Sequence, residues 1–456
     1  MGLITINPNN GRQFADLKQT PIEELPKMLE DAKVAQKNWA SKSFAQRSEL
    51  LRAIALECEQ NANDLGQLMH SEMGKPVEQA IGEVKAYCSG MGTSIKDMGL
   101  ALKPAVDEFA TGTTTVHYLP LGVAAIITPW NFPFGMPWTL LVPALLGGNA
   151  VLFKPSEICP QTALEMSKIF EKHLPKNTLQ TIIGAKDHGV ALVDQHVDLV
   201  AFVGSRNAGK AILKKASERA TRVLLEMGGK DPMIVTPGAN IEAAAKFAAT
   251  ASMRNTGQVC VSVERIYVHT DIAAEFVTAL KANIEKISVG PENSSQADLL
   301  NLGPLSSETQ MHHILKQVKA AVAAGATLEM GGNRLDRPGF WMQPTLLTGL
   351  SDQMEIMQEE TFGPIACVQI VESMDEAIKF ANNSRFGLGA TLWADAGEES
   401  QKKALEIESG MVGLNRSFGG SEILLWAGAK ESGYGHTGGI SGMRSFLQPR
   451  TVTVAK

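Results

Sequence analysis

The chain has 456 residues, 44% hydrophobic and 20% charged, with a formal net charge of -6. That length exceeds what one hydrophobic core organises, so two or three packed domains are expected; the composition is globular, and the charge balance offers nucleic acid no electrostatic attraction. The longest apolar stretch, Leu121 to Phe153, is interrupted by Pro129, Pro133, Pro137 and Pro143, so it lacks the unbroken run of about 20 residues that a membrane helix needs and reads as buried core.

The N-terminus, MGLITINPNNGRQF, has no basic segment followed by an apolar run, and a cytoplasmic protein is expected. From about Pro21 to Met98, apolar and charged residues recur at helical spacing. From Val116 the texture changes to short apolar runs ended by Pro, Gly or Asn: GVAAIIT, AVLFK, LQTIIG, LVAFVGS, RVLLEMGG and PMIVT. Each has the length and composition of a buried strand, and helical stretches such as QTALEMSKIFEKHL lie between them. Strand alternating with helix predicts an α/β fold with doubly wound parallel sheets. A second series follows after about Gly228, and the final SFLQPRTVTVAK alternates like a strand whose free edge suits a neighbouring subunit.

The five cysteines are scattered, with no CxxC pair, so neither a metal site nor a redox disulfide is expected. Cys260 follows Asn255-Thr256-Gly257-Gln258-Val259, where glycine lets backbone approach a substrate. An isolated cysteine is commonly an inert core residue, and a free thiol is mostly protonated at neutral pH. Glu226 ends an apolar strand before Gly228-Gly229-Lys230, at the rim of a cleft as a general base or simply as a strand-end residue in a turn. Asn131 sits between Pro129 and Pro133, which fix the backbone so that its amide faces a developing oxyanion or merely shapes a rigid turn.

Together PWNFP, LEMGGK and NTGQVC resemble the aldehyde dehydrogenase superfamily in order and spacing, with further matches at Phe153-Lys154-Pro155-Ser156-Glu157, Phe202-Val203-Gly204-Ser205 and Glu359-Glu360-Thr361-Phe362-Gly363-Pro364. The resemblance covers nearly the whole chain. It implies oxidation of an aldehyde to a carboxylic acid through a thiohemiacetal and thioester on Cys260, with Asn131 and the Cys260 N–H holding the oxyanion and Glu226 activating water. It also implies a cofactor-binding domain over 1–108 and 119–227, with 416–440 returning to it, and a catalytic domain over 228–415. A β arm over 109–118 and 441–456 would join homodimers or homotetramers.

A GxGxxG fingerprint is missing after the first dinucleotide-fold strand. The resemblance instead places the cofactor phosphates on Gly204 and Ser205 at a helix start, the adenosine ribose on Lys154 and Glu157 beside Ser156, and the nicotinamide ribose on Glu360. Trp130 and Phe362 complete the cofactor site. Glu157 would accept bonds from both ribose hydroxyls and repel a 2′-phosphate, so NAD+ is favoured and NADP+ remains possible.

Arg254 resembles the arginine with which succinate-semialdehyde dehydrogenases hold the substrate carboxylate. Their usual second arginine, eight residues beyond the asparagine, is Thr139 here, beside Trp138. The C-terminal pattern PFGGxKxSGxG appears as WAGAKESGYG. Ile423, Leu424, Leu425 and Trp426 suit an apolar or aromatic aldehyde, and Arg416 is a candidate replacement cation. A semialdehyde is the first expectation and an apolar aldehyde the second. A coenzyme-A-acylating relative is disfavoured by Glu226, a silent binding or structural scaffold by retention of Cys260, Glu226 and Asn131, and a cysteine hydrolase by the absence of a motif-placed histidine.

Overall fold

The computed structural model describes residues 2–290, 300–421 and 423–456. Two mainly parallel sheets dominate it. The first has six strands in the order Gly433–Tyr434, Arg222–Met227, Leu199–Gly204, Val123–Ile127, Ala150–Lys154 and Leu179–Thr181, with only the short Gly433–Tyr434 strand antiparallel. Every residue of Val123–Ile127 and Ala150–Lys154 is buried. That is why these strands read as unbroken apolar runs: crossover helices cover both faces of a parallel sheet.

The second sheet has seven strands: Thr327–Met330, Thr345–Thr348, Ile365–Val371, Val263–His269, Asp231–Val235, Gly389–Trp393 and Met411–Leu414. Here the antiparallel member is the edge strand Thr327–Met330. Separate apolar clusters pack each face of each sheet; Phe134, Phe153 and Phe170 anchor one, Leu25, Leu152 and Phe202 its counterpart across the first sheet. The helical opening is Leu25–Ser41, Phe44–Gln60, Ala62–Met73, Val77–Ser89 and Met91–Ala101. The apolar stretch around Pro137 and Pro143 forms the buried helix Gly135–Leu146. Among the described residues, no helix is long and apolar enough to cross a membrane.

A third sheet joins Leu447–Ala455, Gly112–Pro120 and Ala105–Phe109 in antiparallel order. Its limits differ from those expected. Ala105–Phe109 belongs to it rather than to the cofactor-binding unit, and residues Gly439–Arg444 form a helix with Met443 and Phe446 buried in the neighbouring core. The strand therefore starts only at Leu447, itself buried in that core beside Phe446. An N-terminal hairpin, Gly2–Asn7 with Arg12–Lys18, forms an additional two-stranded sheet.

Candidate active site

Strand register sets the first element of the site. Glu226 is the penultimate residue of Arg222–Met227, opposite Val203 on one side and Gly433 on the other, at the carboxyl end of the sheet. Crevices outside the carboxyl ends of parallel strands are where doubly wound folds place ligands. The two glycines after Met227 have a steric reason. A Cβ on Gly228 would lie 2.3 Å from the Glu360 carboxyl, and one on Gly229 would lie 2.3 Å from the Cys260 carbonyl oxygen.

Cys260 follows an unusual turn. Asn255, Thr256 and Gly257 all have positive φ, at 53°, 59° and 70°. For a β-branched threonine this conformation is strained and must be held by its surroundings. Thr256 Oγ1 donates to the Gly303 carbonyl at 3.0 Å, and Gln258 Nε2 donates to the Asn255 carbonyl at 3.1 Å. Gly257 cannot be replaced without collision, since a Cβ there would meet the Gly363 carbonyl at 2.0 Å. Cys260 alone of the five cysteines is not buried. Burial of its surroundings nevertheless pushes its thiol well above the ordinary range, and the nearby Glu226 carboxyl adds to the rise. Glu226 is itself raised, chiefly by burial, while contact with Cys260 and Trp426 pulls it partly back.

Asn131 is fixed by residues that its own segment does not reveal. Its Nδ2 donates to the Gln258 carbonyl at 3.0 Å, and its carbonyl accepts from Lys75 Nζ and Asn255 Nδ2, each at 2.9 Å. Lys75 forms a buried ion pair with Glu83. Glu83 also accepts from the Phe134 and Gly135 N–H groups at 3.2 and 2.9 Å, where the helix Gly135–Leu146 begins, a favourable place for a carboxylate.

A second buried pair holds the other wall. Lys230 Nζ lies 2.6 Å from Glu264 and donates to Thr361 Oγ1 at 2.9 Å; Glu264 accepts the Thr361 and Phe362 N–H groups, each at 2.7 Å. This network presents Glu360 and Phe362. Glu360 Oε1 accepts from Gly229 N at 3.2 Å, and burial, reinforced by Glu264, pushes the Glu360 carboxyl up to about 8.

One cavity of about 260 Å³ is lined by Trp130, Asn131, Gly204, Ser205, Glu226, Cys260, Glu360 and Phe362 among others. Trp130 and Phe362 meet edge to face at 5.6 Å. Ser205 caps the helix Arg206–Ser217, accepting from Ala208 N at 3.4 Å, and at Gly204 a Cβ would collide with the Phe202 ring at 2.5 Å. Bare backbone at a helix start beside a buried carboxyl fits the phosphate and ribose of a dinucleotide. Lys154 and Ser156 are buried near the end of the adjacent strand, where Lys154 Nζ donates to the Pro155 carbonyl and lies 3.8 Å from the half-exposed Glu157. Burial lowers the Lys154 pKa against that partner.

A second cavity, of about 560 Å³, meets Glu226 and is lined by Tyr87, Met136, Trp138, Thr139, Leu424 and Trp426 among others. Trp138 is held as core by stacking on Phe134 at 5.2 Å and meeting Phe170 edge-on at 5.9 Å. Leu424 and Trp426 face this cavity, whereas Ile423 and Leu425 are exposed. Arg254 lines a different cavity, of about 310 Å³, with Val259, Val261, Phe418 and Trp426, and its guanidinium lies 5.8 Å from the Phe132 ring centroid. Arg416 does not join either group. Its guanidinium is exposed and donates to the Ser417 and Gly419 carbonyls of its own loop.

Sequence reasoning missed Tyr87, Lys75, Glu83 and Glu264. Tyr87 packs so closely on Gly135 that a Cβ there would lie 2.2 Å from its ring. Its only sequence signal is an aromatic on a helix of otherwise ordinary amphipathic texture.

Cys260, Glu226 and Asn131 thus meet in one cavity with the bare backbone of Gly204 and Ser205 at a helix start. The aldehyde dehydrogenase family profile matches residues 3–452, and the chain belongs to that family. It is similar to a probable NADP+ succinate-semialdehyde dehydrogenase of Synechocystis sp., 34% identical over 460 residues and covering 100% of both chains. Among solved structures it is similar to 3,6-anhydro-L-galactose dehydrogenase in complex with NAP (TM-score 0.94, 32% identity, covering 100% of this chain and 96% of the other). Indole-3-acetaldehyde dehydrogenase with NAD+ gives a TM-score of 0.96 at 30% identity, covering 100% and 93%. The protein is an NAD(P)+-dependent oxidoreductase acting on aldehydes.

Proposed function

We propose that the protein converts an aldehyde to its carboxylic acid through a thioester on Cys260. The observation that carries this reading is the meeting of Cys260, Glu226 and Asn131 in one cavity with Gly204, Ser205, Glu360 and Phe362. The Cys260 thiol, raised by burial, is protonated at neutral pH, so its attack on the carbonyl carbon needs a base, and Glu226 takes the proton. Asn131 Nδ2 has a second hydrogen beyond the one given to Gln258, and it stabilises the oxyanion together with the Cys260 N–H. Bound nicotinamide supplies the hydride acceptor. Glu226 passes the Cys260 proton to solvent and, ionised again, deprotonates the water that opens the thioester; the departing Cys260 thiolate takes that proton back as the acid is released.

For the substrate we propose a semialdehyde whose carboxylate is met by Arg254. Support comes from Arg254 lining a cavity with Val259 and Val261, the residues flanking Cys260, and from similarity to an enzyme named for succinate semialdehyde. An apolar or aromatic aldehyde is the second reading, favoured because among the described residues no Lys, Arg or His lines the 560 Å³ cavity. NAD+ over NADP+ is proposed on Glu157, half exposed where it would meet the ribose. Assembly as a homodimer or homotetramer is proposed through the edges of the third sheet, where Val106, Phe109, Val452 and Val454 are exposed.

The deciding experiment follows formation of the reduced nicotinamide with either cofactor and a panel of succinate semialdehyde, aliphatic and aromatic aldehydes, in the parent protein and Arg254→Met. A rise of about tenfold or more in KM for succinate semialdehyde alone supports the carboxylate reading. Equal loss across the panel, or none, replaces it with the apolar aldehyde. Absence of reduction with every aldehyde would overturn the dehydrogenase mechanism, unless coenzyme A restored it.

A further inference from the structure

The resemblance puts phenylalanine where this chain has Trp426. An indole brings an N–H that phenyl lacks. Trp426–Ala427 pairs antiparallel with His436–Thr437, while Gly433–Tyr434, from the same folded-back segment, pairs with Glu226 and Leu225. Buried Ser432 ties that segment down, donating to the Gly228 carbonyl at 2.8 Å and accepting from Gly387 N at 2.9 Å. Phe418 meets the indole edge-on at 5.9 Å. The indole and Glu226 thus stand on one wall of the 560 Å³ cavity. Trp426 Nε1 and Glu226 Oε1 are both buried and without a hydrogen-bond partner among the described residues. An unpaired donor and an unpaired acceptor in one dry wall are costly apart and complementary together.

We infer that Trp426 is a positioning residue for the general base, donating its indole N–H to Glu226 Oε1 and holding that carboxylate ionised and turned toward Cys260. The inference rests on the proposed role of Glu226. The direction of the interaction agrees with it, since Trp426 and Cys260 oppose the rise that burial imposes on Glu226. Among the described residues the Tyr87 phenol also bears on this carboxylate, His313 and Glu360 line one cavity with it and Asp97 the other; Glu360 and Asp231 act on Cys260.

The test is the pH profile of thioester hydrolysis, measured as the steady phase after the first turnover, in the parent, Trp426→Phe and Glu226→Gln. Trp426→Phe keeps an aromatic ring and removes the donor. Its acid limb should move up by about one pH unit, with the rate approaching that of the parent at high pH. An unmoved limb overturns the inference, as does a raised KM with the limb in place, which would assign the indole to the substrate. If hydrolysis and its acid limb survive in Glu226→Gln, the base reading itself fails, a different result from an unshifted Trp426→Phe. Should that variant not fold, nitrogen-labelled tryptophan in the unmutated protein gives the same answer. The Trp426 indole resonance should titrate with the midpoint of the acid limb and cease to do so in Glu226→Gln; a resonance indifferent to pH overturns the inference.

Discussion

Asn131 Nδ2 lies 3.0 Å from the carbonyl oxygen of Gln258, two residues before Cys260, so the amide proposed as oxyanion donor is tied to the segment of the proposed nucleophile by one hydrogen bond across 127 positions of sequence. This bond orients the amide before any substrate arrives, and preorganisation of that kind is what makes an oxyanion donor effective. Asn131→Ala should reduce kcat by about 10² to 10³ while leaving cofactor affinity within a small factor. Comparison of single-turnover reduction with cofactor titration checks this.

Cys260→Ala should abolish formation of reduced nicotinamide with every aldehyde and leave cofactor binding intact, because the other four cysteines are buried and none of them lines the cavity. Cofactor binding by fluorescence alongside an activity assay separates loss of the nucleophile from loss of the fold.

Glu226→Gln should leave a larger first turnover than steady rate if the carboxylate chiefly activates water, with the steady phase falling by about 10² or more. Rapid-mixing measurements of the burst and the following slope decide it. Equal loss of both phases would mean that proton removal from Cys260 is the dominant duty.

Lys75→Ala should destabilise the protein by about 3 to 5 kcal/mol, since it leaves Glu83 as an uncompensated buried charge. It should also lower kcat, because the Asn131 carbonyl loses one of its two donors. Replacing both partners by Met and Leu should recover only part of the stability. The Phe134 and Gly135 N–H groups still lose their acceptor. Denaturant midpoints of the three variants test this.

Glu360 predicts a pH dependence of stability. Its folded value of about 8 lies above the ordinary 4.5, so below pH 4.5 it is protonated folded or unfolded and imposes no penalty. As pH rises the unfolded chain releases the proton first, and the folded state loses stability until the penalty is complete above about 8. Glu360→Gln, which cannot ionise, should match the parent Tm in acid and exceed it at alkaline pH. A constant Tm difference across that window would show that Glu360 is already ionised in the folded protein.

The strands Val123–Ile127, Ala150–Lys154 and Asp231–Val235 were legible in sequence because burial on both faces demands uninterrupted apolar residues. Asn131, Glu226 and Cys260 were legible because each lies in a short local pattern. Local patterning also announced the terminal strand, though not its start. Residues 439–446 were spent on a helix and a core that the neighbouring sheet had to complete.

What the sequence by itself determined is therefore the alternation of strand and helix, the order of the motifs and the class of chemistry, all of which follow from the periodicity and residue type of segments a few residues long. Tertiary structure alone decided that Lys75 and Glu83 hold Asn131, that Glu264 shapes the loop of Glu360, and that Tyr87 and Trp426 wall the 560 Å³ cavity. It also turned Arg416 onto its own loop carbonyls and put Arg254 in a cavity with Val259 and Val261. The physical reason is that a charge or a ring chooses its partner by proximity in space: the Lys75–Glu83 pair closes over eight residues and the Asn131–Gln258 bond over 127.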